Sequence, residues 1–254
     1  MSKTDDVADA TQPPVDADAA VVAGEEPPSA RVPLDRDRIV AAAIGFIDEF
    51  GLPGLTMRRL GAVLGVEAMS LYRHVPGREA LLDAVVESIV DEMQHDEDVL
   101  EAPQDGWQDF LQRLAHGIRR VALAHPRVFP LVASRPTEAP WLRPPLRSMR
   151  WVESLLEALE REGFGDDAAV GAYRAFTSFL LGHLLLEVAV LGADVGPLDV
   201  LDDDEDGEPP DTSLAGYPVV RRLQDELRQD HSAEEFEESL EELLNRMALM
   251  KSES

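Results

Sequence analysis

Apolar residues recur at helical spacing along most of the chain, and no stretch alternates with period two over several residues, so the pattern predicts an all-α protein. Ordered structure is expected to begin near Leu34, where Asp35 is placed to cap a helix. Ile39, Ala42, Ala43, Phe46, Ile47 and Phe50 then share one helical face, and Gly51 ends it. Pro53 and Gly54 make the connection, and Thr56 is placed to cap a second, short helix with Leu60, Val63 and Leu64 on its apolar side. Gly65 breaks that helix, Val66 and Leu71 give the next segment a buried side, and Pro76 and Gly77 stop it. Ala68, Met69, Ser70, Tyr72, Arg73 and His74 are left largely outward. Two short helices meeting at a glycine turn are the footprint of a helix-turn-helix, and the second helix is the one that reads bases.

Leu81, Leu82, Val85, Val86, Ile89, Val90 and Met93 predict a longer helix leading away from this motif. Residues 94–106 are polar and hold Pro103 and Gly106, which marks a domain boundary. Beyond it, Trp107 to Leu123 reads as a helix ended at Pro126. Val128 to Val132 is a short apolar segment, and Ser134 to Pro140 (SRPTEAP) is a loop. Trp141 to Glu162 and Asp166 to about Leu191 are expected to be helical. Apolar positions of the latter, from Val170 to Val188, spread too widely for one buried stripe, so it should pack on two sides, one partner being a second copy of itself. A last amphipathic helix runs from about Ala233 to Lys251. The expected organisation is an acidic disordered tail at 1–33, a head with its connecting helix at 34–95, and a body at 105–250 with an acidic loop at 199–211.

Composition sets limits on chemistry. Hydrophobic residues make up 44% of the 254, enough for a sizeable core, and cysteine is absent, which excludes disulfides, thiolate metal sites and a cysteine nucleophile. The start MSKTDDVADATQPP lacks the basic and apolar regions of a signal peptide, so a cytoplasmic location is expected. The longest apolar run, Ala175 to Gly192, is interrupted by His183 and Glu187 and is expected to be a buried helix rather than a membrane span. The net charge of -27 argues against a nucleic-acid partner until its distribution is considered. From Arg31 to Arg78 seven arginines face five acids, a basic island in an acidic chain, and surplus acid elsewhere would repel DNA from the remaining surface.

Catalytic constellations are thin. A carboxylate dimetal site needs paired Glu-x-x-His motifs, and only Glu92 with His95 occurs; phosphate-cradling glycine loops and nucleophile elbows are missing. No enzyme, cofactor or metal site is expected. The acidic loop lacks the spacing of a helix-loop-helix calcium site. His116, His125 and His183 fall in or near apolar faces, where a lone histidine usually serves as a core or pocket hydrogen-bonder. In the motif's second helix, Ser70 is suited to a base edge or phosphate, Met69 and Ala68 to thymine methyls, and Tyr72 and Arg73 to the backbone.

The stretch Gly51 to Glu87, GLPGLTMRRLGAVLGVEAMSLYRHVPGREALLDAVVE, resembles the DNA-binding head of the tetracycline-repressor (TetR) family, through its LTxRxLxxxLGV stretch, LYxHV ending and following ALLDAV. Weaker similarity continues through SRPTEAP, Phe164-Gly165 and Gly182-His183 and covers most of residues 34–250. The resemblance implies an all-helical homodimer with a ligand pocket in the body, dimerising through the long helix and the last one. It also implies a ligand-responsive transcriptional regulator, most simply a repressor released from a palindromic DNA operator. By position it assigns DNA contacts to Thr56, Arg58, Ala68, Met69, Ser70, Tyr72, His74 and Arg78. Family members that bind a metal–tetracycline complex hold it with a histidine three residues before the serine or threonine of the RPT loop, here Leu131, and with a late acidic contact that aligns with Leu191. A largely apolar effector is therefore expected instead, near Trp107, His116, Phe129, Arg135, Met149, Phe176, Phe179 and His183, chosen by aromatic placement. The alternative class is a helical ligand-binding protein or enzyme that does not use its DNA-binding head.

Overall fold

Asp35 caps the first helix as its position predicts: its carboxylate accepts from the backbone N–H of Arg38 at 2.8 Å, and α1 runs Arg36–Phe50. Thr56 does the same for α2, Met57–Leu64, accepting from the N–H of Arg59 at 3.1 Å. The computed structural model describes residues 33–96, 99, 105–135, 141–142, 149–195 and 216–252. The acidic tail at 1–33, apart from Pro33, the acidic loop at 199–211 and part of the SRPTEAP loop fall outside the described residues. Among the described residues there are eleven helices and no strand. After α1 and α2 come α3 (Ala68–Leu71), α4 (Arg78–His95), α5 (Trp107–Ala124), α6 (Phe129–Ser134), α7 (Met149–Arg161), α8 (Asp166–Val190), α9 (Pro218–Arg222), α10 (Gln224–Leu227) and α11 (Ser232–Ser252).

Four elements depart from the periodicity reading. The helix expected from Trp141 is described only from Met149, and a helix starting at Trp141 would have to run through Pro144 and Pro145. The second helix of the motif is a single α-turn, extended by Leu71 C=O accepting from the N–H groups of His74 and Val75 at 3.0 and 2.9 Å. It lacks a side-chain cap at Glu67, and Pro76 follows directly. Short helices α9 and α10 were not expected, and neither has a buried residue.

Packing falls into two linked groups. In the head α1 packs on α4 and on α2, and α2 on α3, with Ile39, Ile47, Leu60, Leu71, Leu81 and Val85 all fully buried. The central helix α8 is covered by α5, α6, α7 and α11, which explains its broad apolar composition. By length and hydropathy α8 could cross a membrane, but it carries buried Glu187 in an ion pair with Arg119 of α5, as a core helix does. The groups are joined by α4 and by polar contacts at one seam. His125 Nδ1, at the end of α5, lies 2.7 Å from the Asp48 carboxylate of α1, and Arg127 donates to the Glu49 carbonyl at 2.6 Å.

Burial of Tyr173 on α8 pushes its phenol up to about 12. Between pH 10 and 12 the unfolded chain would release that proton while the folded chain holds it, so stability falls as pH rises through this window. Tyr173→Phe should remove about 1–2 kcal/mol of that alkaline loss, read from urea unfolding at pH 8 and pH 11.

Candidate nucleic-acid interface and ligand cavity

Two glycines set the angle of the helix-turn-helix. Gly65 ends α2 with φ 67, a left-handed conformation that suits glycine, and Val66 N–H returns to the Gly61 carbonyl at 2.9 Å. Gly61 is where the helices nearly touch: a Cβ there would lie 2.9 Å from the Val66 carbonyl oxygen and 3.3 Å from the Ala68 backbone. Leu60, Leu71 and Val75 fasten the motif inward. Opposite them the surface carries Met69, which is 74% exposed, with Tyr72, Arg73 and His74 also exposed and Ala68 and Ser70 half-buried beside them.

The remaining residues assigned to DNA differ in what their side chains already do. Arg58 is exposed on α2, whereas the Thr56 hydroxyl caps that helix. Arg78 spends its guanidinium on the loop before α2, with Nε donating to the Leu55 carbonyl at 3.3 Å and Nη2 to that of Leu52 at 3.5 Å. It braces the motif from the start of α4. Arg59, which sequence reading did not single out, lies 5.1 Å over the Phe46 ring and donates to the Gly54 carbonyl at 3.0 Å. Its membership of the basic island was the signal available.

A cavity of about 80 Å³ lies where α4, α5, α6, α7 and α8 meet. Its walls are Val90 and Met93 from α4, Leu114 and Ile118 from α5, Phe129, Val132 and Ala133 from α6, Trp151 and Leu155 from α7, and Phe176, Thr177, Leu180 and Leu181 from α8. Arg135, just beyond α6, completes it. The Arg135 side chain is only 10% exposed; Nη1 and Nη2 reach the Glu79 carboxylate of α4 at 2.9 and 3.0 Å, and Nη2 also meets the Glu79 carbonyl at 3.1 Å. Asp83, one turn on, is 3.5 Å away. Nε of Arg135 is buried and has no hydrogen-bond partner.

Of the eight residues expected around a ligand, the structure brings Phe129, Arg135 and Phe176 together at this cavity. Trp107, His116, Met149, Phe179 and His183 are elsewhere. Trp107 packs edge-on to Phe164, ring centroids 5.1 Å apart. His116, Phe179 and His183 gather around Phe236 of α11, which fills the space between them at 5.7, 5.8 and 5.2 Å. Met149 is exposed at the start of α7. Aromatic character alone does not separate core from cavity.

Fold and surfaces together define an all-helical protein with a helix-turn-helix head and a cavity-bearing helical body. Residues 101–250 match the family model described as the tetracyclin repressor-like C-terminal domain, and the chain belongs to the TetR family of transcriptional regulators. The transcriptional repressor DrrR1 of Streptomyces coeruleorubidus is 32% identical over 149 residues, which are 59% of this chain and 52% of that protein. The chain thus spans about half the length of that relative. A possible TetR family transcriptional regulator from Streptomyces coelicolor A3(2) superposes with a TM-score of 0.64 at 31% identity, covering 85% of this chain and 99% of that one. ActR of Streptomyces coelicolor, in its complex with actinorhodin, superposes with a TM-score of 0.60 at 26% identity, covering 85% and 96%.

Proposed function

We propose that this protein is a homodimeric, ligand-responsive transcriptional repressor, cytoplasmic and without enzymatic activity, whose head at 34–95 binds a palindromic DNA operator and whose body at 105–250 binds a small, largely apolar effector. The observation that carries this reading is the reach of α4. Its first residue braces the helix-turn-helix through Arg78, and Val90 and Met93 near its other end line the cavity. One rigid element therefore touches both sites.

Cavity size gives the coupling a direction. Sites for drug-sized ligands occupy roughly 300–1,000 Å³, several times the 80 Å³ here. An effector of that size must push the walls apart, and α4 is a wall. Displacing it moves the attached head, so the effector favours a state in which two heads no longer fit successive major grooves. DrrR1 is named a repressor and ActR is seen with actinorhodin bound, which supports a repressor with an organic effector. The dimer is supported by the outer face of α8 and α11, where Leu186, Val190, Leu191 and Leu249 stand exposed; Leu186 and Val190 are 72% and 71% accessible in the single chain.

The test is a gel shift with the DNA upstream of the protein's own gene. A salt-sensitive, sequence-selective complex is expected, and its absence from this and from genomic fragment selection would sink the reading. Tyr72→Ala should weaken the complex by about 10-fold while leaving dimerisation and melting nearly unchanged, because Tyr72 is exposed on the outer surface of the motif.

A further inference from the structure

We infer that the effector carries an anionic oxygen on an otherwise apolar ring system and that this oxygen accepts a hydrogen bond from Nε of Arg135. The inference deepens the reading above, since it rests on the cavity being the effector site. Three side chains bring polarity to the cavity wall: Arg135, Trp151 and Thr177. A guanidinium N–H only donates, so the unmatched Nε–H of Arg135 asks the occupant of the cavity for an acceptor. No carboxylate or imidazole lines it, which leaves a cationic or metal-chelated ligand without a counter-charge or a metal ligand among the described residues.

Arg135 is placed to make that demand specific. Its outer nitrogens are held by Glu79, which is itself exposed, so water weakens that pairing. The buried Nε–H has no acceptor, in surroundings where an unmatched donor is costly and a charge-assisted bond is strong. An oxyanion at Nε corrects both. Rings fill the apolar walls, with Phe129 and Phe176 as flat partners.

Two probes sharing one ring system separate charge from shape: 2-naphthoate and 2-methylnaphthalene, measured by equilibrium dialysis against the full chain. The wild type should bind 2-naphthoate about 10-fold more tightly than 2-methylnaphthalene. Arg135→Met should abolish this preference while changing 2-methylnaphthalene binding by no more than about twofold. Glu79→Gln, which cuts the ion pair but keeps Nε–H, should retain the preference, and this distinguishes ligand recognition from bracing of α4. Leu155→Trp, which fills the cavity, should block both probes. The inference is overturned if the wild type shows no saturable 2-naphthoate binding or no preference for it. It is also overturned if the preference persists in Arg135→Met, disappears in Glu79→Gln, or survives Leu155→Trp. A gel shift without probe on the same wild-type preparation tests the regulator reading separately: selective DNA binding with no anion preference leaves that reading standing, and the preference without DNA binding removes it.

Discussion

Gly61→Val should abolish selective DNA binding and lower the melting temperature together. The added Cβ alone would sit 2.9 Å from the Val66 carbonyl oxygen and 3.3 Å from Cα and N of Ala68. All three are backbone atoms, so no side-chain rotation relieves the contact. The turn must open, carrying with it the outward row from Ala68 to His74 on which the proposed groove contacts depend. Overpacking of this kind costs about 1–3 kcal/mol, more than the roughly 1 kcal/mol that replacing a helical glycine can return. Gly61→Ala should already reduce operator affinity by about 10-fold or more, because groove recognition demands the correct helix angle. Gly45→Ala supplies the contrast. Its Cβ would meet nothing within 4 Å on α1, so it should stabilise the protein by about 0.5–1 kcal/mol and leave DNA binding intact. Gel shifts and thermal melts on the three variants decide the matter. Undiminished DNA binding by Gly61→Val would mean that the close α2–α3 approach does not set the recognition angle.

The contrast between those glycines shows what the sequence could and could not disclose. Helical spacing located α1, α4, α5 and α8 because each buries a broad apolar face, whereas α2 buries only Met57, Leu60 and Gly61 and leaves Val63, expected on its apolar side, exposed; the caps Asp35 and Thr56 act at the positions their side chains suggested. Gly65 was legible because it interrupts a pattern. Gly61 was not, since a glycine inside a helical repeat gives no sign of the backbone passing in front of it. The cavity was hidden for a similar reason. Val90 with Met93, Leu114 with Ile118, and Phe176 with Leu180 occupy the same stripes as core residues, and only tertiary packing decides whether a stripe meets another side chain or a space. His116, Phe179 and His183 looked like a pocket until Phe236, 53 residues beyond His183 in the chain, came to stand among them. Arg135 lines the cavity, and its grip on Glu79 joins residues 56 apart and has no local signature.

Glu187→Ala should be among the most destabilising single changes in the body. The Glu187 carboxylate is 8% exposed and takes both Nε and Nη2 of Arg119, at 3.0 and 2.5 Å. This pairing holds the Arg119 guanidinium above its ordinary range, outweighing the opposing effect of burial. The same guanidinium lies 5.1 Å over the ring of Phe236, so one ion pair ties α5, α8 and α11 together. Removing the carboxylate leaves a mostly buried cation facing an apolar ring, and takes from the buried His183 Nε2 the carboxylate oxygen 3.9 Å away. Loss of one partner from a buried pair typically costs about 3–5 kcal/mol. Arg119 keeps 19% of its side chain accessible, and water reaching it reduces the expected loss to about 2–4 kcal/mol. Replacing both partners, Arg119→Met with Glu187→Leu, should recover most of that loss, because the penalty comes from the stranded charge. Urea unfolding of Arg119→Met, Glu187→Leu and the double variant forms the cycle. Full additivity would show that the two groups do not stabilise the body as a pair. A non-additive recovery together with loss of the proposed dimer in Glu187→Ala alone would show that the pair also fixes α8 and α11 in the orientation the proposed dimer needs.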